Sequence, residues 1–435
     1  MTGTSTLLVD PAGPPGPAAP KRGRWQRLGP LAIKLGELAV TNAATFAFPL
    51  VFAVVCGRNL GLQQYGVVSF YAALAGFLGM FVEFGFDWYG TREVAPAEAA
   101  PGHRQRVLRH IVAAKLLLWL AACALTAPAL LWWRGAHEWP YMVASAAYLL
   151  GFACDASWYL RARERTRLLM VTTAVVRLLG VLLLVLAVAQ AASITLALWA
   201  YALVSLAGSA FHWVLLRRLG VLPVGRIEWA YLRSLLHRAS AIVLGNLNGA
   251  LLTNGGIALL ALLADDATAG AANLALRLRL ASQALMLPLL QLGFVRISAA
   301  AHRDTRAGLS LGRKLLAATL VLAVPIALAG MFAAPAITQY VFKGDVPLAV
   351  SLCMLMALCV PVQAVGNLFG VQSLVAFGRE RRYAQIQLVA SLVFMAVLFA
   401  FPPQQSYGWA VLAAEGVVMV LSALALMRLQ REARA

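Results

Sequence analysis

Residues 58–95 read RNLGLQQYGVVSFYAALAGFLGMFVEFGFDWYGTREVA, and this stretch decides the fold class. Between Arg58 and Arg92 lies an apolar run, 66–89, whose only charges are Glu83 and Asp87, both near its far end. A helix needs about 20 mostly apolar residues to cross the hydrocarbon core of a bilayer. The run meets that length, and the rest of the chain repeats the theme. Of 435 residues, 61% are hydrophobic and 12% charged. A soluble domain has about 45–50% apolar and about 25% charged residues. The mean hydropathy of +0.78 agrees. No soluble enzyme core can be built from this chain.

Twelve stretches of this kind follow one another: 31–57, 66–89, 108–132, 140–160, 168–189, 193–216, 240–263, 269–295, 315–341, 347–377, 384–402 and 408–428. The expected fold is an all-α polytopic membrane protein of twelve transmembrane helices. Pro325, Pro335 and Pro361 lie inside the ninth and tenth and are expected to kink them. Of the 36 Lys and Arg residues, 28 fall in the N-terminal tail, the loops after even-numbered spans and the C-terminus. The opposite loops hold only Arg58, Arg134 and Lys343. By the positive-inside rule both termini are cytoplasmic. The net charge of +19, which in a soluble protein would suggest nucleic acid, is thereby spent on sidedness, and no nucleic-acid partner is expected.

The chain divides into a cytoplasmic tail (1–29), a six-helix bundle (30–216), a cytoplasmic linker (217–239), a second six-helix bundle (240–429) and a short cytoplasmic tail (430–435). Residues 1–20, rich in Pro, Ala and Gly with Asp10 as their one charge, read as disordered and lack the layout of a signal peptide. In the linker, Trp229, Tyr231, Leu232, Leu235 and Leu236 alternate with Arg226, Arg233 and Arg238, as in an amphipathic helix on the inner leaflet. The loops opposite are too short for an extramembrane domain. The five cysteines lie in apolar stretches without a C-x-x-C spacing and read as small buried hydrophobes. No metal or cofactor is expected.

The halves echo each other. Gly66 opens a span ending Phe84-Gly85-Phe86, and Gly270 opens one ending Leu292-Gly293-Phe294. Arg163-Glu164-Arg165 follows the fourth span and Arg379-Glu380-Arg381 the tenth. Six spans is an even number, so the halves share orientation, as in a parallel repeat with a cavity between its parts.

At this point a family comes into view. The run Arg58-Asn59-Leu60-Gly61 through Gln64-Tyr65-Gly66, with Glu83-Phe84-Gly85-Phe86 and Thr91-Arg92-Glu93-Val94-Ala95, resembles the first two spans of Wzx-type polysaccharide flippases of the MOP superfamily. Asp155-Ala156-Ser157-Trp158-Tyr159-Leu160 with Arg177, and the run from Gln372 to Glu380, match as well. The resemblance covers roughly 30–430 and leaves the proline-rich tail outside. It implies two six-helix bundles around a central cavity that opens to one side at a time, in the bacterial inner membrane. It also implies a secondary transporter rather than an enzyme. Its partners would be an undecaprenyl-pyrophosphate-linked oligosaccharide, a coupling ion (proton or sodium) and the polymerase and export proteins of O-antigen, capsule or exopolysaccharide synthesis.

A pyrophosphate crossing hydrocarbon needs cations, and an ionised group at the bilayer centre is costly enough to be a functional candidate by default. Five basic residues lie within spans, Lys34, Lys115, Arg177, Arg277 and Arg279, against five acidic ones, Glu37, Glu83, Asp87, Asp155 and Glu415. Mutual neutralisation is the competing reading. Arg177 and Arg277 lie roughly 12–13 Å deep and are expected to face the cavity, with Lys115 a shallower candidate. Arg279 is about 200° around the helix from Arg277 and is expected to be structural. Lys34 and Glu37 are expected to pair along their helix. Glu83 and Asp87 share a helix face. Two carboxylates in a poorly solvated place cannot both ionise cheaply, which suits a proton-coupled step. The alternative pairs Asp87 with Arg92 or another basic loop residue. Asp155 is expected to pair with the loop of Arg161 and Arg163.

Pro49, with Asn42, marks a hinge in the first span. Asn246, Asn248, Gly255 and Gly256 occupy the matching place in the seventh, the glycines for packing. Trp88, Trp132, Trp133, Trp139 and Trp158 read mostly as interfacial anchors. The competing functions are a multidrug exporter of the same superfamily, a major-facilitator carrier, and a polymerase or ligase of the pathway. The missing loop domain counts against the last, and no Gly-x-x-x-Asp-Arg-x-Gly-Arg loop follows Gly85 to support a facilitator. A nucleotide-binding Gly-x-x-x-x-Gly-Lys-Ser/Thr loop is also lacking.

Overall fold

The computed structural model describes residues 24–96, 100–301 and 305–432. Residues 1–23 of the expected tail lie outside them, as do the side chains of Lys34, Glu37 and Asn42, while 24–29 of that tail are helical and open the first helix. Of the described residues, 24–38 form one unit and those from Ala39 onward a second, to which the packing of the helices belongs.

The expected all-α membrane fold is what the chain adopts. In order the helices are α1 (Arg24–Glu83), α2 (Phe86–Val94), α3 (Pro101–Arg134), α4 (Trp139–Cys154), α5 (Ser157–Ala162), α6 (Thr166–Gln190) and α7 (Ile194–Arg218). Then come α8 (Trp229–Ala250), α9 (Gly256–Leu263), α10 (Asp266–Ala284), α11 (Leu287–Ala301), α12 (Thr305–Phe342), α13 (Pro347–Asn367), α14 (Glu380–Ala400) and α15 (Pro403–Glu432). Among the described residues nine helices are long and apolar enough to cross a membrane, or ten if α10 and α11, bent by 50°, count as one span.

The difference from twelve has local causes. The first two expected spans run together in α1, which leaves helical geometry at Gly61 (φ 77°). An L-residue with a side chain is strained there. The chain folds back at that point. Arg58, before the break, donates to the Tyr340 carbonyl at 2.7 Å, and Tyr65, after it, meets the Phe342 ring at 6.2 Å, so both flanks occupy one level. The fourth expected span is interrupted at Asp155, whose backbone is extended, leaving α4 and α5 each short.

α4 and α6 pack on α7 in the first half; α12 and α15 pack on α13, and α14 on α15, in the second. Across the halves α3 meets α8. The part of α1 beyond Gly61 meets the second half at Gly66, Gly76 and Phe77, against Asp266, Asn254 and Gly255 respectively. Arg104, Arg106, Arg109, Arg161 and Glu228 gather at one end, the basic face. Arg58 and Arg134 gather at the opposite one, beside Tyr340 and Asp266.

Two expectations are corrected. The linker is not a separate surface helix. Residues 219–228 are non-helical, and α8 is continuous from Trp229 to Ala250, with Leu232 and Leu235 buried on the first half. Trp158 is no interfacial anchor: Gly90 has no side chain, which leaves room for the indole against α2, and it is fully buried. Trp88, Trp132, Trp133 and Trp139 are exposed, as an anchor requires. Pro49 is half-buried in α1, whose non-helical residue is Gly61. In the seventh span the bend is a π-helical turn, Leu251–Gly255, with Thr253 non-helical, and the Leu252 carbonyl accepts from the Tyr407 hydroxyl at 3.0 Å.

Candidate functional site

α10 begins with small residues, Ala269 to Ala272, whose burial lets the helix run close against the first half. Arg277 follows on this helix, half-buried, with its Nε enclosed and without a hydrogen-bond partner. Among the described residues no carboxylate lies within ion-pair distance of it. It is close enough for its charge to act on the phenols of Tyr65, Tyr148 and Tyr201, all carried by the first half. Arg177 on α6 acts on the same Tyr148. One arginine from each half thus lies within electrostatic reach of Tyr148. Tyr148 belongs to an aromatic shelf in which Tyr201 contacts Phe52 at 3.8 Å and Tyr148 at 5.3 Å between ring centroids. A guanidinium is a planar fork of donors suited to phosphate oxygens, and it keeps its charge when desolvated.

Arg279 takes the other side of α10. It is 2% exposed and donates to Glu415 of α15 at 3.3 Å. A helical offset of two residues separates a paired cation from one with no carboxylate.

Lys115 is not brought to the arginines. It is fully buried toward the basic face, with Nζ 2.8 Å from Asp87 Oδ1 and 3.4 Å from the Asp155 carbonyl. Arg161 reaches the other oxygen of Asp87 at 2.9 Å, so that carboxylate is held by two cations, neither of them Arg92. Asp155, expected beside Arg161 and Arg163, instead takes His212 Nδ1 at 2.9 Å and the Ser157 hydroxyl at 2.5 Å. The reason is the break at 155: it turns the carboxylate toward α7, leaving Arg161 on the following turn to reach back to α2. Glu83, half-buried and next to this cluster, has no ion pair within 4.0 Å among the described residues, though Lys115, Asp87 and Asp155 all act on it.

Removing one partner of a buried pair strands the other, at a cost of about 3–5 kcal/mol. Asp87→Asn leaves Lys115 without a carboxylate partner, whereas Lys115→Met leaves Asp87 its Arg161. The expected result is a lower thermal unfolding midpoint for Asp87→Asn than for Lys115→Met, measured in the same detergent; the reverse order would dissolve the assignment.

At the opposite face the halves are joined by contacts that left little trace in the sequence. Arg134 at the end of α3 makes a two-pronged pair with Asp266 at the start of α10, at 2.9 and 2.7 Å. Its Nε lies 3.2 Å from Glu138, which accepts from the Tyr71 hydroxyl at 2.7 Å. Beside this latch the backbones touch. A Cβ on Gly66 would overlap the Asp266 carbonyl, and one on Gly270 would lie 2.9 Å from the Leu62 carbonyl oxygen. Two small hints were available: charge is scarce on that face, so each charge there called for a partner, and Gly66 and Gly270 open matching spans. His212 offered no comparable signal.

The chain is similar to known proteins over most of its length. A family described as polysaccharide biosynthesis protein matches residues 34–295. A Shigella dysenteriae protein provisionally named an O-antigen transporter is 23% identical over 372 residues, covering 85% of this chain and 92% of the relative. An Escherichia coli (strain K12) protein of the same name is 20% identical, over 83% and 88%. Among solved structures, the inward-facing conformation of a multidrug resistance MATE family transporter of the MOP superfamily superposes with a TM-score of 0.68. That match, at 13% identity, covers 89% of this chain and 94% of the other.

Proposed function

Because the chain belongs to the polysaccharide biosynthesis protein family, we propose that it is a flippase. It carries undecaprenyl-pyrophosphate-linked oligosaccharide repeat units between leaflets, for O-antigen, capsule or exopolysaccharide synthesis. The basic face is cytoplasmic, and the protein works in the inner membrane. The observation that carries this reading is Arg277: a cation near the midplane, on the seam between the halves, with no carboxylate partner among the described residues. A site for cationic drugs would invert that polarity.

Transport is by alternating access. The latch and the glycine contact close the periplasmic face, which supports a cavity open to the cytoplasm in this conformation. The related solved structure is also inward-facing. Arg277 and Arg177 hold the pyrophosphate, while the aromatic shelf offers ring faces to the first sugars. Glu83 takes the coupling ion. It has no ion pair of its own among the described residues, and a proton bound there would alter the balance around Asp87 and Lys115 at the cytoplasmic end of the first half.

The purified protein in proteoliposomes is expected to move fluorescent undecaprenyl-pyrophosphate oligosaccharide to the other leaflet, faster under an imposed proton or sodium gradient. Extrusion of cationic dyes with no movement of the lipid would replace this reading by that of a multidrug exporter.

A further inference from the structure

A second basic site lies away from the seam. At the basic face of the first half, Arg104, Tyr159, Arg163, Arg165 and Val221 line a cavity of about 500 Å³. Two helix endings shape it. After α5 the chain turns at Glu164 (φ 55°), with Arg165 N–H donating to the Leu160 carbonyl at 3.0 Å and Glu164 N–H to that of Arg161 at 2.9 Å. After α7 it turns the same way at Gly220 (φ 70°), with Val221 N–H donating to the Leu216 carbonyl at 2.9 Å. Both endings satisfy carbonyls at helix C-termini that flank the cavity.

Most cations around it are already engaged. Arg106 pairs with Glu228, Arg109 donates to the Val224 carbonyl at 2.6 Å, and Arg161 is held by Asp87. Arg163 and Arg165 differ: among the described residues neither lies within 4.0 Å of a carboxylate, and Glu164 between them pairs with neither. Arg104 donates to the Pro96 carbonyl at 2.8 Å, and with Arg163 it is close enough to act on Tyr159. Arg163 and Arg165 thus bring two cations to the cavity with no carboxylate within 4.0 Å among the described residues.

Its depth says what kind of anion it would meet. α3 has 34 residues, so it is about 51 Å long, more than the hydrocarbon core of about 30 Å. Its far end is tied at the opposite face by Arg134, so Arg104 in its second turn stands at the level of the lipid head groups. The segment leaving the cavity carries exposed Leu222, Val224 and Ile227 and then Trp229, 68% exposed, an apolar strip that fits an interface better than bulk water.

We propose that this cavity holds the phosphate of a lipid head group. Arg163 and Arg165 contribute charge-assisted hydrogen bonds and Arg104 lies behind them. A resident anionic phospholipid and a polyprenyl diphosphate share that chemistry. The proposal goes beyond the transport reading and does not depend on it.

The test is lipid binding to the purified full-length protein, read by native mass spectrometry with undecaprenyl diphosphate, phosphatidylglycerol and inorganic pyrophosphate as separate probes. R163A/R165A is expected to weaken binding of at least one of the two lipids about tenfold or more, and the lipid that is lost identifies the source. Both sites are exposed turn residues, and an unchanged unfolding midpoint checks the fold. R217A/R218A, equal in charge and outside the cavity, is expected to bind within about twofold of the parent. Three results overturn the proposal: full lipid binding by R163A/R165A, an equal loss in the R217A/R218A control, or inorganic pyrophosphate binding as tightly as the lipids. Translocation is scored separately, so a failure here leaves the flippase reading standing.

Discussion

Arg277→Ala should leave a folded, inserted protein that moves no lipid-linked glycan. Folding tolerates the change because no carboxylate is stranded: none lies within ion-pair distance among the described residues, and the Nε already lacks a partner. Transport does not tolerate it. Truncating one partner of a buried, hydrogen-bonded charge pair costs about 2–5 kcal/mol, roughly 30- to 3000-fold, and the pyrophosphate would have to cross the seam without that partner. Arg277→Lys keeps the charge but loses the planar fork, so partial activity is expected. Arg279→Ala supplies the contrast two residues away. It leaves Glu415 buried and unpaired, and its expected defect is a drop of about 3–5 kcal/mol in stability. The measurement is initial translocation rate in proteoliposomes beside the unfolding midpoint of each variant. Normal translocation by Arg277→Ala would remove this residue from the site.

The second large effect is expected at Gly66. A methyl group there meets the Asp266 backbone, which has no rotamer to change, so α1 and α10 must separate. Overpacking of this kind costs about 1–3 kcal/mol, occasionally more. Because the clash exists only while α1 and α10 are in contact, the cost falls on this conformation and shifts the equilibrium by about 5- to 150-fold away from it. Gly270→Ala, 2.9 Å from a carbonyl oxygen, should act the same way, and Gly416→Ala, with nothing within 4 Å, should act as a silent control. Spin labels at the exposed positions Gln64 and Lys343 report the distance across that face by pulsed electron resonance. A distance distribution unchanged by Gly66→Ala would show that the glycine contact does not hold the face shut.

What could be read from the chain depended on the length scale of the interaction. The membrane class followed from apolar runs, because transfer of a helix into hydrocarbon sums over some 20 residues and hides local detail. The separation of Arg277 from Arg279 followed from the 3.6-residue period, and Glu415 indeed holds the second of them. That Arg177 and Arg277 share Tyr148 as an electrostatic neighbour was not legible, since this joins three helices distant in sequence. Partner choice among charges was the least legible. Arg161 was expected beside Asp155, its near neighbour, and went to Asp87 because the backbone break at 155 reoriented the nearer acid. Arg134 and Asp266 are 132 positions apart, and they meet beside the close approach of Gly66 to the Asp266 backbone. The count of separate helices falls below twelve where two spans run into one another across the kink at Gly61, and where α4 ends early at Asp155.

With the basic face cytoplasmic, as proposed, the latch of Arg134 and Asp266 would also tie the protein to the composition of the fluid outside. Closed, the two charges are each less than 15% exposed, and dissolved ions cannot approach them. Open, they face water, where an ionic atmosphere stabilises each one separately; its reach shrinks from about 30 Å at 0.01 M to about 8 Å at physiological ionic strength. Added salt on that side therefore favours the parted state and leaves the clasped one nearly untouched. A flippase built this way would register external salinity as a bias on its resting conformation, without a binding site for any particular ion.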